Sequence, residues 1–124
     1  MQFKVLFPAP YQVTDIYDDN LDVNIVLEGG DVYFGTLFTL KNINKLIGIN
    51  SDVYFWSTDM LILKELSHQG IYAAVEAVLN DGYLDEIFSK IGTIETVYSH
   101  QGWKEFADIS KVIRLSAGIY KLPD

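Results

Sequence analysis

The sequence predicts an α+β fold: an antiparallel or mixed sheet with a central hairpin, packed against two to three helices. Three observations carry that prediction. Apolar and polar side chains alternate through residues 23–28, and a second extended run, 32–38, follows Gly29-Gly30. Met60-Leu61-Ile62-Leu63 is apolar at every position. Ile71, Ala74, Val75, Val78 and Leu79 recur at i, i+3, i+4, i+7 and i+8, the spacing of one helix face.

The elements follow in order along the chain. Residues 1–10 open with a short apolar run that suits a strand, and Pro8 and Pro10 end its ladder because proline has no N–H to donate. Asp18-Asp19-Asn20-Leu21-Asp22 reads as an exposed acidic turn. Val23, Ile25 and Leu27 then point one way and Asn24 and Glu28 the other, which makes a half-buried strand. Gly29-Gly30-Asp31 supplies the positive-φ residues of a tight reversal. Thr39 can cap a helix that carries Leu40, Ile43, Leu46 and Ile47 on one side and that Gly48 is expected to end, before a loop over 49–52. Val53-Tyr54-Phe55-Trp56 reads as a short aromatic strand, and 60–63 as a strand covered on both faces near the middle of the sheet. Ser67 is the expected N-cap of the helix through residue 79, and Gly82 its stop. A second helical spacing follows over 83–91, and 93–98 alternates weakly like a strand. Residues 103–106 suit a turn of helix, and 111–115 form a β-branched run. The helix over 71–79 is expected to lie across one face of the sheet, with Ala74→Asp severe.

A length of 124 residues suits one domain, 1–124, large enough for a core without cross-links. The absence of cysteine removes disulfides, thiolate metal sites and a cysteine nucleophile. The first residues are too short an apolar run for a secretion signal, and no stretch approaches a membrane span, so the expected compartment is the cytoplasm.

Seventeen acids against nine bases give a formal net charge of −8. The first 35 residues hold six of those acids against Lys4 alone. Such a field repels nucleic acid and acidic membranes and draws basic partners in.

The search for catalytic chemistry ends without a candidate. His68 and His100 stand apart from any metal-ligand spacing, and Ser116 lacks the first glycine of a nucleophile elbow. Asp18-Asp19-Asn20-Leu21-Asp22 opens like a calcium loop, but Val23 stands where glycine is required and Gly29 where a bidentate glutamate belongs. The expectation is therefore a protein without enzymatic activity, cofactor or metal. Tyr11 and Tyr17 flank the acidic turn, and rings among carboxylates suit a partner rich in Lys and Arg. The candidate contact residues are Asp15, Tyr17, Asp18, Asp19 and Asp22, with Glu28 and Asp31 close by on the hairpin.

Three stretches together resemble small bacterial toxin-immunity proteins, among them those of contact-dependent growth inhibition systems. They are 22–30 (DVNIVLEGG), 33–43 (YFGTLFTLKNI) and 54–63 (YFWSTDMLIL). The resemblance implies a cytosolic protein that binds and blocks the toxic domain of an effector, often a basic nuclease. It brings no catalytic residue and no binding residue by position. Two other readings fit the residues: another acidic binding module, such as a phage-encoded nucleic-acid mimic, or a small-molecule enzyme.

Overall fold

The computed structural model describes residues 2–50, 53–99, 102 and 103. They form an α+β arrangement of five strands and four helices. The strands are β1 (Phe3–Leu6), β2 (Asn20–Leu27), β3 (Asp31–Thr39), β4 (Met60–Leu63) and β5 (Ser89–Thr93). The helices are α1 (Leu40–Asn50), α2 (His68–Asp81), α3 (Leu84–Ile87) and α4 (Ile94–Tyr98). The sheet runs β1-β2-β3-β4 and is mostly antiparallel; only β3 and β4 are parallel. β5 also pairs with β3, on Asp31–Phe34, so β4 and β5 share one side of that strand end to end.

The expected hairpin is present, and it is longer than its periodicity suggested. Asn20, Leu21 and Asp22 are not turn residues but pair with Phe38, Leu37 and Thr36. Gly30 takes a φ of 102° at the reversal, where its N–H donates to the Leu27 carbonyl (2.9 Å).

α2 lies across one face, as expected. Ser67 caps it by accepting from the Gly70 N–H (2.9 Å), and Gly82 stops it in a left-handed conformation with φ 79°. Its Ile71, Val75 and Val78 pack on Val5, Val23, Ile25, Tyr33 and Leu37, the main core. Burying each such side chain contributes about 1.5–3 kcal/mol. Ala74 is only half-buried, so an aspartate there can turn toward water; Val75, fully buried, is the severe position on this helix. A smaller cluster on the other face joins Leu6, Val26 and Val32 to Ile94 of α4.

Five expectations are corrected. α1 continues past Gly48 to Asn50, and its Leu40 is 70% exposed. Residues 53–56 form no strand: only Phe55 turns inward, onto the Phe38 ring at 5.2 Å. β4 is an edge strand and not central, and its Ile62 is exposed. Helix over 83–91 shrinks to Leu84–Ile87, because Phe88 turns extended and 89–93 pair with β3. Residues 94–98 are helical, started by Thr93 and Thr96 in a reciprocal capping box. Residues 104–106, the run 111–115, His100 and Ser116 lie outside the described residues. Among the described residues no helix is long and apolar enough to cross a membrane.

Tyr33 ties β3 to α3. Its hydroxyl donates to Asp85 Oδ1 at 2.6 Å, and that carboxylate, helped by burial, pushes the phenol up to about 12. A raised phenol pKa stabilises the fold fully below the free value of 10 and loses that contribution as pH climbs toward 12. Tyr33→Phe should therefore cost about 0.5–1.5 kcal/mol at pH 8 and flatten the decline between pH 10 and 12. Urea unfolding at pH 8 and pH 11 measures both; an unchanged alkaline decline in the variant would assign it elsewhere.

Candidate functional site

Residues 15–18 form a turn in which the Asp18 N–H donates to the Asp15 carbonyl (3.1 Å) and the Tyr17 N–H to Asp15 Oδ1 (2.9 Å). Tyr17 points outward and is half exposed. The turn is fastened to the start of α1. Thr39 Oγ1 accepts from the Asn42 N–H (3.4 Å) and the Asp19 N–H (3.3 Å), while Asn20 Nδ2 donates to Asn42 Oδ1 (2.8 Å).

This docking divides the acids. Lys41 and Lys45, four apart on one side of α1, reach back to Asp15 (3.8 Å) and Asp18 (3.1 Å). The first pair is loose and solvated and contributes little. Asp18 is better held: its side chain is 12% exposed, and Lys45 and Asn42 donate to it, which keeps its pKa below the usual carboxylate value. Asp19 and Asp22 have no cation among the described residues. Asp19 accepts from the Asn20 N–H (2.8 Å) and Asp22 from the Thr36 hydroxyl (2.9 Å).

Glu28 and Asp31 stand elsewhere. Six residues of extended strand, about 20 Å, separate Asp22 from Glu28. Glu28 accepts from the Gln2 N–H (2.8 Å), and Asp31 pairs with Lys90 (3.0 Å). The seven candidate residues thus fall into two groups at opposite ends of the hairpin.

Asp19 and Asp22 line an open cleft of about 360 Å³. Its other wall is the segment 7–13, with Pro8, Pro10, Tyr11 and Val13. Two prolines keep this wall out of the sheet, and Tyr11 braces it. The Tyr11 hydroxyl donates to the Leu66 carbonyl at 2.5 Å, and its ring meets His68 edge-on at 4.4 Å. Burial, and then the nearby Asp19 charge, push the Tyr11 phenol up. An aromatic and proline wall facing two carboxylates without a cation among the described residues suits the aliphatic stem and charged head of a lysine or arginine. The cleft was not expected from the sequence; its signal was Pro8-Ala9-Pro10 before a tyrosine and an acidic run.

His68 sits behind that wall, against Phe7 and Tyr11, and burial lowers its pKa. Its place in the first turn of α2 also disfavours a cation. A lowered imidazole pKa means stability that is whole above about 6.5 and falls as pH drops below it. His68→Gln should reduce the fall in Tm between pH 6.5 and 5; an identical fall would show that other groups cause it.

The chain matches no protein-family model, no curated protein and no solved structure.

Proposed function

We propose that this chain is an immunity protein that binds and neutralises a bacterial toxin domain, of the basic nuclease type used in contact-dependent growth inhibition. The observation that carries the reading is the pair Asp19 and Asp22: carboxylates without a cation among the described residues, on a cleft walled by Tyr11, Pro8 and Pro10. A basic side chain from a partner completes that arrangement, and the net charge of −8 draws such a partner in. Phosphate mimicry is less well supported. It needs a row of carboxylates along one face, whereas Asp22 on β2 stands between Asn20 and Asn24.

The test is co-expression with a basic nuclease-type toxin domain, sought first at the C-terminus of any large secreted protein encoded next to this chain's gene. Growth arrested by that domain alone should be restored by the chain, and the two should purify as a stoichiometric complex. Arrest that persists with the chain present, and no complex, would overturn the reading.

A further inference from the structure

The hydrogen-bond alternation of β2 leaves a short stretch of open sheet edge inside the cleft. In an antiparallel ladder one residue turns its N–H and C=O to one neighbouring strand, and the next residue turns them to the other. The Thr39 N–H donates to the Asp19 carbonyl (3.2 Å), so Asp19, Leu21, Val23 and Ile25 address β3. The Glu28 N–H donates to the Gln2 carbonyl (3.0 Å), so Val26 and Asn24 address β1, opposite Lys4 and Leu6. Asp22 and Asn20 come next on that side. The same register carried past Leu6 would set Pro8 against Asp22 and Pro10 against Asn20.

Proline has no N–H, so neither position can donate to the carbonyl it would face. The chain leaves the sheet there instead. Tyr11 carries it toward α2, where the phenol donates to the Leu66 carbonyl and the ring meets His68. The space vacated beside β2 is the cleft, lined by residues 7–13 on one side and 19–22 on the other. Within it the Asn20 N–H is taken by the Asp19 carboxylate (2.8 Å). The Asp22 N–H and the carbonyls of Asn20 and Asp22 have no ladder partner among the described residues. Both residues are exposed.

A bare strand edge is a template for another strand. Its surroundings specify which strand. Side chains opposite Asn20 and Asp22 would stand on the same side of the sheet as these two, and the one between them would stand with Leu21. On the first side is the Asp22 carboxylate. No lysine or arginine lines the cleft, and Lys64, just beyond β4, is two strands away, about 10 Å. On the other side Leu21, Tyr11 and Val13 are partly buried against the main core, an apolar floor.

We propose that the cleft receives an extended segment of a basic partner protein as a short added strand, antiparallel to β2 and in line with β1. Lysine or arginine stands opposite Asp22, and an apolar residue stands opposite Leu21. The proposal rests on the reading of the cleft as the contact for a basic protein, and it assigns the main-chain bonds of that contact. The partner's N–H groups donate to the Asn20 and Asp22 carbonyls, and the Asp22 N–H donates in return.

The experiment titrates the full chain with the peptide acetyl-Val-Arg-Val-Arg-Val-amide and follows backbone amide hydrogen exchange by NMR. The peptide should bind one to one and slow exchange of the Asp22 amide, and a Val/Glu peptide of the same length should do neither. N-methylation of the two arginines removes the donors that face β2 and should weaken binding about tenfold. N-methylation of the central valine, whose N–H points away from β2, should leave binding as it was. Asp22→Asn should weaken binding severalfold. Asp22 is exposed, and an unchanged Tm will show that the variant folds. Equal weakening by the two methylations would reduce the effect to general attraction and overturn the proposal. So would an Asp22 amide already protected in the free chain, because the chain itself or a second copy would then fill the slot. The co-expression assay separates the two ideas. If the chain neutralises a toxin domain and the Asp22 amide exchanges as fast in that complex as in the free chain, the added strand falls and the inhibitor reading stands. If no toxin domain is neutralised, the inhibitor reading falls, and the peptide titration decides the added strand.

Discussion

Phe88→Ala is expected to destabilise the fold by about 3–5 kcal/mol, the largest effect of any single truncation considered for this chain. Phe88 is 2% exposed and belongs to the main core. Its backbone is extended between α3 and β5, and its ring lies against the backbone of Gly35. A Cβ at Gly35 would fall 2.2 Å from the ring. No side chain fits there, so Gly35→Ala should cost about 1–3 kcal/mol by displacing the ring. The two changes should not add. Once Phe88 is alanine, the new methyl enters vacated space, and Gly35→Ala should cost less by about 0.5–3 kcal/mol than it does in the native background. Urea unfolding of the four proteins of the cycle measures this. Equal costs in both backgrounds would place the ring elsewhere.

That contact also explains what the sequence could and could not disclose. The hairpin and α2 are local: alternation, an apolar stripe, Ser67 and Gly82 each act within a few residues of the element they define. Tyr83, Leu84, Ile87, Phe88 and Ile91 have helical spacing too, yet only Leu84–Ile87 is helical. Beyond it a distant partner decides, because β3 offers a ladder at Asp31–Phe34 and Gly35 leaves room for the Phe88 ring. β4 was misplaced for a related reason. Four consecutive apolar residues state that a strand is apolar, not how many strands lie beyond it, and Ile62 stays exposed on the edge of the sheet. At the site, the acidic run and its flanking Tyr11 were legible from composition. Which carboxylates Lys41 and Lys45 reach was not, because that depends on where α1 lays them.

The division of the acids yields the other large effect, on binding. Asp19→Asn with Asp22→Asn should slow association with any toxin domain that the chain neutralises in the co-expression assay severalfold at low salt, and less at high salt as screening removes the same attraction. Asp15→Asn with Asp18→Asn changes the net charge by the same amount but removes carboxylates that do not line the cleft. Its effect on association should be much smaller. Its effect on folding should be larger, because Asp18 holds the start of α1 through Lys45 and Asn42. The pH dependence separates the two pairs again. Asp18 titrates below the free value of 3.8, so its contribution is present above that value and disappears as pH falls through the lowered one. The Asp15/Asp18 variant should therefore be the less stable one at neutral pH and should lose less on acidification. Stopped-flow association at two salt concentrations, with Tm followed from pH 7 to pH 3, measures both halves. If the two double variants slow association equally, the partner responds to net charge alone, and the cleft beside Tyr11 is not where it lands.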